Sequence, residues 1–357
     1  MSTTILGVLQ RREALFAGGE HTTIKDGDAT KDFMINQVYA ERLIPKTPSK
    51  LYPIVFIAGL GQTGNTFLNT PDGRPGWAEF FLSHGYVVYL TDQCCRGRSL
   101  SFPSADAMQT LGTEQIENYF TATSNHSLWP QSKLHNQWPG TGVFGDPSFN
   151  AFFAATVPSL VDRYVSEELN TKAYSALLDR IGPAYLITHS QAGAYGWRIA
   201  DARPELVKGI VAIEPSGPPF RSRFPFVGPW RRWGITDGPI TYAPSAGPDG
   251  KEIKTITIPA KDDLHTDCIM QRDSPKVLIN LCSVPVLVVT GEASYHQPHD
   301  YCTVEYLRQA SVQVEFADLG QEGIHGNGHM LFMEKNNLVI AERVLRWFKK
   351  HKHNLEL

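Results

Sequence analysis

The sequence predicts an α/β fold in which helices cover both faces of a mostly parallel, doubly wound sheet. The first observation is a set of short runs that are apolar on both faces, as strands between two helical layers require. These runs lie at 52–58, 86–90, 184–188, 209–213 and 284–290. The second observation is that helical patterns separate them, at 76–84, 191–202, 301–310 and 336–350. Such alternation is typical of a sheet wound by right-handed crossovers.

The length and the charge of the chain exclude some classes of protein. A chain of 357 residues suits one enlarged domain. Lys and Arg number 33 against 36 Asp and Glu, for a net charge of -3, which argues against nucleic acid as a partner. No stretch approaches the roughly 20 apolar residues of a membrane span. The N-terminal apolar stretch is broken by Gln-Arg-Arg-Glu at 10–13, so we expect no signal peptide and a cytoplasmic protein.

The number and the spacing of the cysteines argue against a disulfide framework. There are five, and an odd count in a large chain argues against a disulfide framework. Cys94 and Cys95 are adjacent, and a bond between them would close a strained ring, so we expect two thiols in a turn, with a redox-sensitive vicinal disulfide as the alternative. No C-x-x-C pair is present, and we expect neither a metal nor a cofactor.

A serine follows the third apolar run. The segment I-T-H-S-Q-A-G at 187–193 places Ser190 between a strand and a helix. This turn projects a hydroxyl beyond the sheet, as in the nucleophile elbow G-x-S-x-G, although Thr188 and Ala192 replace its glycines. The N–H of Gln191 would then face a developing oxyanion at the start of the helix. A serine that only caps this helix is the alternative.

The loop after the first apolar run, A-G-L-G-Q-T-G at 58–64, is expected to supply a second oxyanion donor. We choose the N–H of Leu60, with Gly61 as the neighbouring alternative. The same letters fit G-x-G-x-x-G of a nucleotide-binding loop. That motif wants an acidic residue about 20 positions later, and Asp92 lies further along the chain.

The histidine of such a site comes late in the chain. In G-I-H-G-N-G-H-M at 323–330, His329 is preferred because it is nearest the final helix, and His325 is the alternative. The intervening glycines make a helical H-x-x-x-H zinc pair unlikely. His296 and His299 are expected to be cavity or surface residues.

Three carboxylates could orient the histidine: Glu214, Glu292 and Asp300. Periodicity alone does not choose between them. Glu214 ends the apolar run G-I-V-A-I-E, and a carboxylate there is costly unless it is paired, which favours it. The same reasoning applies more weakly to Glu292, because Gly291 intervenes.

These motifs together resemble those of α/β-hydrolase-fold esterases, in particular a bacterial and fungal branch. The resemblance runs from about residue 40 to the C-terminus. It rests on the glycine loop at 59–64, T-P-D-G-R-P-G-W at 70–77, D-Q-x-x-R-G-R-S at 92–99, W-P-G-T-G at 138–142, T-H-S-Q-A-G at 188–193, A-I-E-P-S-G-P-P at 212–219 and G-N-G-H-M at 326–330. It implies the α/β-hydrolase fold, and that the triad acid is the glutamate after the sixth strand, which maps onto Glu214.

Two long segments interrupt the alternation and set the expected domains. We expect a hydrolase core at 1–217 and 278–357, with a helical insertion at about 101–170, and a cap at 218–277. Aromatic residues in the cap, among them Phe220 and Trp230, are expected to bind substrate together with Gly61.

The expected function is hydrolysis of a small carboxylic ester or lactone, apolar or cyclic, through a Ser-His-Glu triad and an acyl-enzyme. The alternatives are a lyase or cyclase on the same fold and a silent ligand-binding protein. The expected partner is the small-molecule substrate, and the apolar cap makes a homodimer a further expectation.

Overall fold

A computed structural model of the protein describes residues 7–99, 107–221 and 230–351. Residues 100–106 of the predicted insertion region and 222–229 of the predicted cap lie outside this range, as do the two chain ends. The domain boundaries given above remain predictions.

The strands and helices alternate along most of the chain. The strands are β1 (Gln10–Asp26), β2 (Ala29–Pro45), β3 (Ile54–Ile57), β4 (Val88–Asp92), β5 (Met108–Gln109), β6 (Ser159–Leu160), β7 (Ala184–His189), β8 (Val207–Ile213), β9 (Thr255–Ile258), β10 (Cys268–Gln271), β11 (Val286–Thr290) and β12 (Val314–Asp318). The α-helices are α1 (Trp77–Ser83), α2 (Thr113–Ile116), α3 (Pro147–Ala154), α4 (Arg163–Ile181), α5 (Ala192–Ala202), α6 (Asp300–Gln309) and α7 (Asn337–Lys350). In the part of the chain that the structure describes, no helix is long and apolar enough to cross a membrane.

Eight strands form one sheet in the order β1-β2-β4-β3-β7-β8-β11-β12. The pairs of β1 with β2 and of β2 with β4 are antiparallel, and every later pair is parallel. The predicted fold class, a doubly wound and mostly parallel sheet, is confirmed. All five predicted strands are present, as β3, β4, β7, β8 and β11, and all four predicted helices, as α1, α5, α6 and α7.

Each face of the sheet has its own hydrophobic core. One core packs α1 and α7 against the sheet, with Trp77, Phe81 and Phe348 fully buried. The other packs α4, α5 and α6 against the opposite face, through residues such as Tyr174 and Trp197. Because both faces are covered, the central strands are buried along their whole length, and their carboxyl ends are the edge where a ligand can reach them.

A disulfide joins Cys268 in β10 to Cys302 in α6, with the two Cα atoms 5.2 Å apart. The argument from the odd number of cysteines against disulfides is therefore wrong for this pair. The count of cysteines does not reveal that β10, which belongs to the segment between β8 and β11, packs against α6, which covers one face of the main sheet. The adjacent Cys94 and Cys95 are buried thiols, as predicted.

Removing this disulfide should destabilise the protein. The bond closes a loop of 34 residues, and a loop of that length lowers the entropy of the unfolded chain enough to stabilise the native state by about 2–4 kcal/mol. We expect the Cys268→Ser/Cys302→Ser double variant to show that loss in denaturant unfolding, and to be insensitive to added reductant. Cys282→Ser is the matched control, since Cys282 is a free thiol. Equal midpoints for the double variant and the wild type would contradict the prediction.

Candidate active site

Ser190 lies in a sharp turn between β7 and α5. Its φ of 53° is in the left-handed region, which costs backbone energy and aims the side chain away from the strand. The turn is fixed to the next strand, because the N–H of Ser190 donates to the carbonyl of Ile213 at 3.0 Å. Gly193 is required here, since a Cβ at that position would lie 2.5 Å from Cβ of Pro215. The glycine one place later than in the usual elbow thus permits the same close approach of helix and strand.

The glycine loop after β3 lies directly against this turn. A Cβ at Gly59 would approach Nδ1 of His189 to 2.8 Å and Cβ of Ser190 to 3.0 Å, so only glycine allows the contact. The N–H of Gly61 donates to Oγ of Ser159 at 3.0 Å and is therefore engaged. This leaves Leu60 as the better choice of the two for an oxyanion donor.

Arg96 connects the glycine loop to the start of α5. Its buried guanidinium donates to the carbonyl of Gly59 at 2.6 Å and to Oε1 of Gln191 at 3.0 Å. Gly59 precedes the candidate donor Leu60, and Gln191 is the other candidate donor. Arg96 therefore connects the two segments that carry the candidate oxyanion donors.

Glu214 and His329 form a buried pair. Nδ1 of His329 contacts Oε2 of Glu214 at 2.5 Å. The second oxygen of Glu214 accepts the N–H of Gly291 at 2.8 Å, and Ser294 donates its hydroxyl to Oε2 at 2.6 Å. Three groups thus converge on the carboxyl group of Glu214. In the tautomer in which Nδ1 of His329 donates to Glu214, Nε2 is an acceptor.

Burial shifts both members of the pair toward their neutral forms. It lowers the pKa of His329 well below its usual value, and the nearby His189, His296 and His299 add to this effect. Burial and the neighbouring carboxylate of Asp300 raise the pKa of Glu214, while Ser294 and Gly291 act in the opposite direction. A neutral imidazole at neutral pH is the state that a general base needs.

Aromatic and histidine rings surround the imidazole of His329. Phe120 stacks on it with ring centroids 5.3 Å apart, and His296 with centroids 5.0 Å apart. His189 donates from Nε2 to the backbone carbonyl of His329 at 3.1 Å, and burial lowers the pKa of His189 to about 3. A neutral His189 therefore fixes the backbone of His329 by a hydrogen bond from the position next to Ser190.

The loop that carries His329 is tied down by Glu334. This buried carboxylate accepts the N–H of Gly328 at 3.0 Å, the side-chain amide of Asn327 at 2.7 Å and Nε2 of His135 at 2.8 Å. His135 belongs to the segment predicted as the helical insertion. The position of the catalytic candidate His329 therefore depends on that segment as well as on the core.

Tyr295 lies beside the imidazole of His329, with its hydroxyl 3.2 Å from Nε2. Burial and the nearby Glu214 raise the pKa of Tyr295 well above its usual value, and the side chain of Ser190 acts in the opposite direction.

The other predicted acids pair with other histidines. Glu292 contacts Nδ1 of His325 at 2.9 Å, and His325 is 64% exposed, so this pair lies on the surface. Asp300 contacts Nδ1 of His296 at 2.8 Å and accepts the hydroxyl of Thr290. Of the three candidate acids, the structure brings Glu214 to His329.

The predicted substrate-binding aromatics pack elsewhere among the described residues. Phe220 is buried against Tyr306 of α6, with ring centroids 5.5 Å apart. Trp230 is half exposed and lines a surface cavity of about 560 Å³ with residues of the segment at 161–164. Their role in binding substrate remains a prediction.

Among the residues that the structure describes, two buried groups have donor atoms close enough to hold a metal ion: Glu214, His296 and His329, and His296, His299 and Asp300. Each group already contains a hydrogen bond between two of its members. Nδ1 of His329 lies 2.5 Å from Glu214 in the first group, and Nδ1 of His296 lies 2.8 Å from Asp300 in the second.

Sequence reasoning missed Ser294, Tyr295 and Glu334. The first two lie in G-E-A-S-Y-H at 291–296, directly after β11. Polar residues beyond the carboxyl end of a central strand are a signal that could have identified them. Glu334 precedes α7, and nothing in its local sequence indicates that it faces the histidine loop.

The chain is similar to known esterases and lipases. It is 63% identical over 313 residues to a probable secreted lipase, phiG, of a fungal species (strain ATCC 74256), over 88% of this chain and 86% of that protein. It also matches a bacterial esterase known at atomic resolution, with a TM-score of 0.65 over 96% of this chain and 97% of the esterase. At 22% identity that second likeness is one of fold. No protein-family model matches the chain.

The expectation of a cytoplasmic protein is wrong. The 63%-identical relative is a probable secreted protein. The disulfide between Cys268 and Cys302 agrees with this correction, since stable disulfides form in oxidising compartments. The break in apolar character at 10–13, from which the cytoplasmic location was inferred, falls at the start of β1, an edge strand of the sheet.

Proposed function

The chain belongs to the α/β-hydrolase family of the fungal lipase phiG, and from that premise we propose that it hydrolyses carboxylic esters or lactones. The observation that carries the proposal is the buried pair of Glu214 and His329 beside the strained turn of Ser190. We assign Ser190 as nucleophile, His329 as general base and Glu214 as the acid that orients it.

Acylation begins when Ser190 loses its proton to His329 and attacks the ester carbonyl carbon. The Oγ–C bond forms while the electron pair of the carbonyl π bond moves to oxygen. The N–H groups of Gln191 and Leu60 stabilise that oxyanion, aided by the positive end of α5. The imidazolium is stabilised by Glu214 and returns its proton to the alkoxide as the ester C–O bond breaks.

Deacylation repeats these steps with water as the nucleophile. His329 removes a proton from the water, and the acyl carbon passes from Oγ of Ser190 to the new hydroxyl group. The proton then returns to Ser190, and the carboxylic acid leaves. For a lactone, alcohol and acid remain parts of one product. We also propose that the protein works outside the cytosol, in keeping with its disulfide.

A fluorophosphonate probe tests this assignment, because it reacts with an activated serine and remains bound. We expect one phosphonyl group per chain, located by mass spectrometry on the peptide that contains Ser190, and parallel loss of activity toward p-nitrophenyl butyrate. Labelling should be abolished in Ser190→Ala. Ester hydrolysis that persists after complete labelling, or a label on another residue, would contradict the proposal.

A further inference from the structure

Arg96 lies in the loop after β4, the strand that pairs with β3. It is 3% exposed, and its terminal nitrogens donate to the carbonyls of Gly59 at 2.6 Å and Gln62 at 3.3 Å and to Oε1 of Gln191 at 3.0 Å. We propose that Arg96 is a positioning residue for oxyanion stabilisation, which orients and polarises the peptide group that carries the N–H of Leu60, an inference that rests on the proposed ester hydrolysis.

The carbonyl of Gly59 and the N–H of Leu60 belong to the same peptide unit. That unit is trans and planar, so its C=O and N–H bonds point in opposite directions. A guanidinium on the oxygen therefore fixes the direction of the N–H without occupying it. A charge-assisted hydrogen bond to the carbonyl also draws electron density from the amide and makes its N–H a stronger donor.

The N–H of Leu60 is available to a ligand. Within the described part of the chain it donates to no protein acceptor, whereas the next N–H, that of Gly61, donates to Ser159. The peptide also lies beside the proposed nucleophile, because a Cβ built on Gly59 would come within 3.0 Å of Cβ of Ser190. An oriented and unengaged N–H at this position is suited to receive the carbonyl oxygen of an ester that Ser190 attacks.

The same guanidinium reaches the segment of the second candidate donor. Nη2 of Arg96 donates to the side-chain oxygen of Gln191, whose backbone N–H follows Ser190 at the start of α5. Arg96 is itself held in a tight turn, since its N–H donates to the carbonyl of Gln93 and its carbonyl accepts the N–H of Ser99. The turn after β4 thus fixes the guanidinium between the two segments that carry the candidate donors.

The charge of Arg96 is not neutralised by a direct carboxylate partner among the residues described. Its three acceptors are neutral carbonyl oxygens. Burial lowers the pKa of Arg96, and an arginine still keeps its proton at neutral pH. A buried cation without a counter-ion is costly in the ground state, and negative charge that forms on the substrate oxygen reduces that cost. An interaction that strengthens as the oxyanion forms accelerates the reaction.

Arg96→Met tests the inference, because it keeps a long, unbranched side chain and removes the charge and the donors. We expect kcat for p-nitrophenyl butyrate to fall about 10- to 100-fold, less than for loss of a whole oxyanion donor, with KM little changed. Arg203→Met is the matched control. Arg203 ends α5 and pairs with Asp179 in a partly exposed ion pair, so its kcat should stay within about twofold. Wild-type kcat in Arg96→Met would overturn the inference.

A trifluoromethyl ketone separates oxyanion stabilisation from a purely structural role. Oγ of Ser190 adds to the ketone carbon, the carbonyl π pair moves to oxygen, and the serine proton passes to His329. With a trifluoromethyl pentyl ketone that is ¹³C-labelled at the carbonyl, NMR follows the pH at which the hemiketal oxygen takes up a proton. We expect this pH to be higher in Arg96→Met than in the wild type, and Ki of the ketone to rise about as much as kcat falls. The matching methyl ketone, which forms no stable adduct, should bind both proteins equally.

Two results would show that Arg96 only supports the fold, and either would overturn the inference. One is a lowered kcat with unchanged titration of the hemiketal oxygen, and the other is equally weakened binding of the methyl ketone. If Arg96→Met does not fold, Arg96→Lys decides, because an ammonium keeps the charge without the planar fork that reaches Gly59 and Gln191 together. We expect its kcat to fall about fivefold or more and its hemiketal to titrate at higher pH. Wild-type values of both would overturn the inference.

Failure of this role for Arg96 can be told from failure of the proposed function. If the wild type neither hydrolyses esters nor takes the fluorophosphonate at Ser190, the proposed function itself is wrong and the role of Arg96 falls with it. If the wild type does both and Arg96→Met keeps the wild-type kcat and hemiketal titration, only the role of Arg96 is wrong.

Discussion

Ser190→Ala should lower kcat/KM for ester hydrolysis by about 10⁴- to 10⁶-fold. The alanine keeps the turn between β7 and α5, and with it the candidate oxyanion donors, but it removes the oxygen that must bond to the acyl carbon. Only the rate that binding and oxyanion stabilisation give to attack by water should remain. The measurement is the initial rate with p-nitrophenyl butyrate, at enzyme concentrations high enough to detect the residual activity.

Ser83→Ala is the matched control for this loss. Ser83 ends α1, and its hydroxyl donates to the carbonyl of Phe80 within the same helix. The expected change in kcat/KM is within about twofold, since surface substitutions of this kind have small effects. Ser190→Ala protein with wild-type thermal stability and more than about a tenth of wild-type activity would show that another group is the nucleophile.

The strands that could be predicted from the sequence are those that the fold buries on both faces. β7 and β11 are buried along their whole length, so their sequences are apolar up to the polar residues at their carboxyl ends. The hairpin of β1 and β2 sits at one edge of the sheet, and β1 alternates with polar residues such as Arg12 and Glu20. At the other edge β12 carries Glu315 and is only half buried at its start. Edge strands share these polar patterns with loops, which is why they were missed.

The residues of the candidate site also differ in how well the sequence predicts them. Ser190 could be predicted because a strand and a helix flank it in the sequence itself. The sequence favours Glu214 over Glu292 but does not decide between them by itself, because both follow a central strand. The two glutamates differ in their tertiary contacts. Val289 of β11 pairs with Ile213 of β8. The chain after β11 then turns back, so that Gly291 and Ser294 donate to Glu214. Tyr295 was missed for the same reason, since its place depends on that turn.

Glu214→Gln should lower kcat by about 10⁴-fold while the protein stays folded. The amide is nearly the same size as the carboxylate, so the packing is retained. An amide N–H can face Nδ1 of His329, and the ring then carries its proton on Nε2. That tautomer cannot accept a proton from Ser190, and no carboxylate stabilises the imidazolium. The measurement is kcat with p-nitrophenyl butyrate, together with the rate of fluorophosphonate labelling, which should fall in parallel.

Glu292→Gln is the matched control, because it makes the same chemical change in the surface pair with His325. Its kcat should stay within about threefold of the wild type. The pair of Glu292 with His325 is partly exposed, so solvent screens its charges and the loss of one charge has a small effect. The contrast between the two glutamates tests the assignment of the acid separately from that of the nucleophile. A large loss in Glu292→Gln with a small one in Glu214→Gln would move the acid to the end of β11, and would require the histidine loop to rearrange so that His329 leaves Glu214.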